Sequence, residues 1–166
     1  MAGIKRFEEI QAWQKAREMV REVYGLCREN PLGKDFGLRD QICRASVSAM
    51  SNIAEGFAKG SNRDFAHFLD IARGSAIEVQ SLLYVALDVR HIGDEDFRRL
   101  YRLAEDTISL VAGFTAYLRK TPSNAQPIGM SSPSRSPKSR APNSAHRTPN
   151  SELQTQNKSE GESPCP

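Results

Sequence analysis

Ile10, Trp13, Ala16, Val20, Val23 and Cys27 recur at spacings of three and four, with glutamate and arginine between them. That is the period of one face of an α-helix, and no segment of the chain alternates apolar with polar as a half-buried strand would. Pro31 and the glycines of NPLGKDFG end this first helix and form a connector. A second helix is predicted over 38–59, closing at Gly60. A third opens with Ser61 as N-cap and Asp64 three residues on, a capping box that uses aspartate. It continues through Phe65, Phe68, Leu69, Ala72, Ala76, Val79, Leu83 and Ala86 to about His91. Gly93 and Asp94 mark the next turn, with Asp94 as candidate N-cap. The fourth helix carries Phe97, Leu100, Tyr101, Ala104, Ile108, Val111 and Leu118 and stops before Pro122. Helices of about 20–30 residues run ~30–45 Å, and short connections place sequential helices antiparallel. The predicted fold is therefore all-α, an antiparallel up-down-up-down four-helix bundle.

The pattern stops near residue 120. Residues 121–166 contain eight of the nine prolines and ten serines, and no Phe, Tyr or Trp. So few large apolar groups do not offset the entropy of ordering a backbone, which predicts a disordered Pro/Ser-rich tail at 121–166 beside a bundle at 1–120. The bundle has 18 Lys+Arg against 17 Asp+Glu, too even for a dominant nonspecific attraction to nucleic acid. Its basic residues are 13 arginines and five lysines, and arginine suits bidentate recognition of phosphate and carboxylate, although surface salt pairing uses it equally. Arg135, Lys138, Arg140 and Arg147 give the tail a basic arm.

The second helix is unusual in holding only two charges between Gln41 and Ala58. On a helical wheel Leu38, Ile42, Ala45, Ala49 and Ile53 form one apolar stripe with Gly56 beside them. Cys43, Val47, Met50, Ala54 and Phe57 form a second face, and Gln41, Arg44, Ser48, Asn52 and Glu55 a narrow polar stripe. Two apolar faces need two partners: the core, and either the third helix of the same chain or a neighbouring subunit. The second alternative predicts a homo-oligomer with this helix near the interface. A buried Glu55 needs a partner, because an unpaired buried carboxylate is costly. Arg73 is the candidate, with Asn52 and Ser75 completing a polar knot; the other reading is a solvated stripe along a bundle groove.

The segments FEEIQAWQKAREMVREVYGL and DFGLRDQICRASVSAMSNIAEGFAKGSNRDFAHFLDIARGSAIEVQSLL, with the closing HIG, resemble the bacterial four-helix bundle family of the 23S rRNA intervening-sequence-encoded type. The resemblance covers about residues 5–119. Its motif runs through Asn52-Ile53-Ala54-Glu55-Gly56, Phe68-Leu69 and Ala72-Arg73-Gly74-Ser75. Cys43 departs from it where arginine is usual, and Met50-Ser51 where Ile-Pro is common. The resemblance implies a bundle that assembles into a ring, typically a pentamer, and implies no reaction. A related branch serves as the accessory protein of retroelement reverse transcriptases through a markedly basic barrel, which the near-neutral charge here fits poorly.

No phosphate-binding loop, dinucleotide fingerprint, GxSxG or nucleophile–base pair is present, so a non-enzymatic protein without cofactor is expected. Asp64-x-x-His67 alone resembles half of a dinuclear metal motif, and no metal is expected. Cys27, Cys43 and Cys165 show no metal spacing, and the first two read as buried free thiols. No apolar run reaches the ~20 residues of a membrane span, and the N-terminus lacks a signal-peptide stretch, so a cytoplasmic protein is expected. Arg39, Arg44, Lys59 and Arg63, about the two ends of the second helix, are the candidate nucleic-acid contacts, for RNA or DNA. Ring assembly would multiply a weak contact of this kind. The alternative is a protein-interaction scaffold or accessory subunit that does not touch nucleic acid.

Overall fold

The computed structural model describes residues 4–29 and 31–121. The predicted tail at 121–166, with its basic residues and Cys165, lies outside these apart from Thr121. Four helices form the bundle: α1 (Gln11–Glu29), α2 (Phe36–Phe57), α3 (Asn62–Asp88) and α4 (Asp94–Lys120). Helix α3 packs along both α2 and α4, and α1 closes the square by lying against α2 and α4. Among the described residues there is no strand.

Local chemistry accounts for the boundaries. Helix α1 starts later than its pattern, because Phe7–Glu9 forms a single 3-10 turn and Ile10 is extended before Gln11. Pro31–Lys34 makes a second 3-10 turn between α1 and α2. The Ser61 hydroxyl accepts from the Asp64 amide at 3.1 Å and donates to the Asp64 carboxylate at 2.6 Å, so the α3 cap forms as expected. Helix α3 ends with Arg90 in the left-handed region (φ 59), the His91 amide bonding back to Ala86 and the Arg90 amide to Leu87. This is the paired hydrogen-bond pattern that satisfies the last carbonyls of a helix. The cap of α4 is Gly93 instead of Asp94, which becomes the first helical residue. Asp94, Glu95 and Asp96 in the first turn, with Arg119 and Lys120 in the last, oppose the helix dipole.

The core is made of two hydrophobic clusters. Met19, Val23, Leu32, Ile42, Val79, Leu83 and Leu100 fill one. Ile10, Ile53, Phe65, Leu69, Val111 and Leu118 fill the other. Thr107 and Thr115 are buried between helices and donate to the Leu103 and Val111 carbonyls one turn back, so their hydroxyls cost little there. On α2, Ile42, Ala45, Ala49, Ile53 and Gly56 are buried as the wheel requires, and Ser46 with them. The second face (Cys43, Val47, Met50, Ala54 and Phe57) is half-buried within the single chain. At Gly56 a Cβ would lie 2.7 Å from both Phe65 Cδ2 and Phe68 Cβ. Only glycine lets α2 and α3 approach this closely.

One connector residue does more than the sequence suggested. Asp35 caps α2, accepting from the Leu38 amide at 3.1 Å, and its other oxygen is 3.3 Å from His91 Nε2 beyond α3. The Leu38 amide, and after it His91, hold the Asp35 carboxyl below the usual range. A carboxylate with a depressed folded-state pKa stabilises fully above its unfolded pKa, and that contribution fades as pH falls through the lowered folded value. Asp35→Asn keeps a capping side chain and removes the titration. Urea midpoints measured between about pH 5 and 2 should fall less steeply for this variant than for the native chain. Parallel profiles would show that Asp35 has no part in acid unfolding.

Candidate nucleic-acid interface

Antiparallel pairing of α2 with α3 decides which polar groups meet. Gln41 Nε2 donates to Glu78 Oε1 at 2.5 Å, Ser48 Oγ meets Ser75 Oγ at 2.9 Å, and Gly56 lies against Phe65 and Phe68. Each step along α2 therefore faces a step back along α3. Asn52 donates to the Ser48 carbonyl at 2.8 Å and to its hydroxyl at 3.1 Å. Asn52 and Ser75 thus share a small polar cluster, and its centre is Ser48. Glu55 and Arg73 do not join it. The register sets Arg73 level with Met50, about five residues or ~7–8 Å along the axis from Glu55. Glu55 is exposed in the last turn of α2 and pairs with Lys59 at 3.3 Å, and Arg73 is exposed on α3. The expected Glu55–Arg73 contact is replaced by a local i,i+4 pair, a solvated arrangement worth little on its own.

The four candidate nucleic-acid residues separate into two pairs. Arg39 and Arg44 lie near the start of α2, and Lys59 and Arg63 flank the turn beyond its end, about 30 Å away at 1.5 Å per residue. Arg39 is engaged locally: it donates to Asp40 at 2.8 Å and to the Gly33 carbonyl at 3.4 Å, and its guanidinium lies 4.7 Å from the Phe36 ring. Arg44 donates to Gln41 at 2.8 Å. At the other end Lys59 sits 4.7 Å over the Phe68 ring besides its contact with Glu55, and Arg63 is exposed in the first turn of α3.

That second end is where positive charge gathers. The antiparallel α3–α4 pairing brings the last turn of α4 beside the first half of α3. Asn62, Arg63, His67, Asp70 and Arg119 line one depression, and Asp70, Arg73, Arg119 and Lys120 line a second. The two share Asp70 and Arg119, whose carboxylate and guanidinium meet at 2.5 Å. Among the described residues no ion pair engages Arg63, Arg73 or Lys120. Together the two depressions are lined by Arg63, Arg73, Arg119 and Lys120 and by one carboxylate, Asp70. The sequence reading placed Arg63 here, assigned Arg73 elsewhere, and missed Arg119 and Lys120. Asp64 serves the α3 cap, its carboxylate accepting from the Ser61 hydroxyl and its amide donating to it. No helix among the described residues is long and apolar enough to cross a membrane.

Helix α3 and its C-cap also leave large apolar side chains exposed, with Tyr84 packed on the Phe97 and Tyr101 rings of α4. Ile71, Ile77, Tyr84, Val85 and Val89 are each 40–50% exposed there. No comparable row of large apolar side chains is exposed on α2.

A family model described as 23S rRNA-intervening sequence protein matches residues 8–113. The chain is also similar to a crystal structure from Bacteroides thetaiotaomicron, a protein of unknown function from the S23 ribosomal protein family. The two are 23% identical with a TM-score of 0.58, over 63% of this chain and 97% of that one, a likeness of fold. No curated protein matches.

Proposed function

Because the chain belongs to the 23S rRNA-intervening sequence protein family, we propose that it is a non-enzymatic RNA-binding bundle that acts as an assembly of several copies. The observation that carries this reading is the convergence of Arg63, Arg73, Arg119 and Lys120 about one carboxylate. The bundle's overall charge is nearly balanced, so a local excess of this kind is what remains to attract a polyanion. Phosphate contacts of this type position a protein on RNA without reading its bases. Repetition of the groove in an assembly strengthens a weak individual contact.

The test compares the two ends of α2. Arg63→Gln/Arg73→Gln/Arg119→Gln/Lys120→Gln should lose most binding to a ribosomal RNA fragment in a filter or anisotropy assay. Arg39→Gln/Arg44→Gln should keep it. An intact chain that binds no RNA at low salt overturns the reading.

The exposed apolar side chains of α3 support the assembly part, and they move the proposed contact from α2 to α3. Large apolar side chains left exposed along one helix are candidates for a protein contact. Ile77→Glu/Val85→Glu should lower the mass observed in sedimentation and leave helicity unchanged. A native chain that sediments as a monomer at every concentration contradicts it. The scaffold alternative rests on these same side chains, and a pull-down with and without nuclease separates the two. Partners lost on nuclease treatment favour RNA.

A further inference from the structure

Cys27, in the last turn of α1, and Cys43, two turns into α2, face each other across the helix pair with their sulfurs 3.8 Å apart. Both are free and half-buried at the edge of the core formed by Met19, Leu26, Ile42 and their neighbours. They are not equivalent. Cys43 also lines a surface depression with Tyr24, Asp40, Arg44, Val47 and Ser48, so a small molecule that enters there meets Cys43, whose sulfur lies 3.8 Å from that of Cys27. We propose that Cys27 and Cys43 are an oxidisable thiol pair that hydrogen peroxide closes into a disulfide, stapling α1 to α2.

The chemistry balances in two steps. The Cys43 thiolate attacks one peroxide oxygen, so an S–O bond forms, the O–O bond breaks, and the departing hydroxide takes up a proton as water. Cys27 then attacks the sulfenic sulfur; the S–S bond forms, the S–O bond breaks, and water leaves with the Cys27 proton. Two thiols lose two electrons and one peroxide becomes two waters. Closing to the ~2.05 Å of a disulfide requires the sulfurs to approach by less than about 2 Å, within reach of side-chain rotation.

Burial pushes the Cys27 thiol up to about 12 and raises Cys43 as well. Little thiolate exists at neutral pH, so the pair resists mild oxidation and its rate should rise about tenfold per pH unit between roughly pH 7 and 9. The bridge closes a short loop through the Pro31–Lys34 turn, which should raise the melting midpoint by roughly 5–10 °C.

The experiment uses the full chain carrying Cys165→Ser, which leaves these two thiols alone. After peroxide treatment, the intact mass should fall by two hydrogens, a digest should contain a Cys27–Cys43 linked peptide, and dithiothreitol should reverse both changes. Adding Cys27→Ser should abolish the linked peptide and leave Cys43 to gain oxygen. The proposal is overturned if both thiols still titrate in the unfolded, peroxide-treated chain. It is equally overturned by oxygen addition without a bridge, or by links only between chains.

Discussion

Gly33→Ala should lower the stability of the bundle by about 3 kcal/mol. A Cβ at Gly33 would fall inside the van der Waals envelope of the Cys27 carbonyl oxygen, a backbone atom in the last turn of α1. A side chain in that position would rotate away, but a helical carbonyl moves only with its helix. The clash therefore forces the Pro31–Lys34 turn off the end of α1 and disturbs Leu32, which is fully buried beside Met19 and Val23. No gain in helix propensity compensates, because Gly33 lies in a 3-10 turn. Gly113 provides the internal control, since it is exposed within α4 with nothing within 4 Å of the added atom. Gly113→Ala should leave stability unchanged or raise it by up to about 1 kcal/mol. Thermal melts separate the two cases, with a drop of roughly 10 °C expected for Gly33→Ala. Equal melting points would mean that the α1–α2 connector is not packed as described.

The helices were legible because their apolar residues keep a helical period through well-marked breaks, and the buried stripe of α2 followed directly from its wheel. The polar stripe was misread for a reason of geometry. Residue spacing gives a face but not a height along a neighbouring helix. The tight turn at Gly60–Ser61 fixes that height, and it sets Ser75 beside Ser48 and leaves Glu55 to Lys59. The same argument explains the missed cations. Arg119 and Lys120 lie over fifty residues from Arg63 in sequence, and only the antiparallel return of α4 brings them to the α3 groove. Asp35 was hidden in another way, because its partners, the Leu38 amide and His91, are a backbone group and a distant turn residue. Charge totals had argued against nucleic acid as a dominant attraction, and they average away the asymmetry between the two ends of α2.

Neutralising the groove should have the largest functional effect. Arg63→Gln, Arg73→Gln, Arg119→Gln and Lys120→Gln together remove four fixed cations and leave Asp70, so the surface changes from net positive to net negative. If each cation neutralises one phosphate, RNA affinity at low salt should fall by roughly a hundredfold or more. Stability should change little, because these side chains are exposed and, among the described residues, only Arg119 is in an ion pair, with Asp70. Circular dichroism of the variant separates lost binding from lost folding. A folded variant that keeps native affinity places the RNA elsewhere on the bundle.

The salt dependence of RNA affinity tests the central claim most directly, because its slope counts the phosphates released from counterions. For the native chain, log affinity should fall linearly with log salt. In the groove variant the slope should be shallower by about three units per groove, at ~0.7–0.9 per phosphate. The Arg39→Gln/Arg44→Gln variant should keep the native slope. A native chain without RNA affinity, or a groove variant with the native slope, would contradict the account.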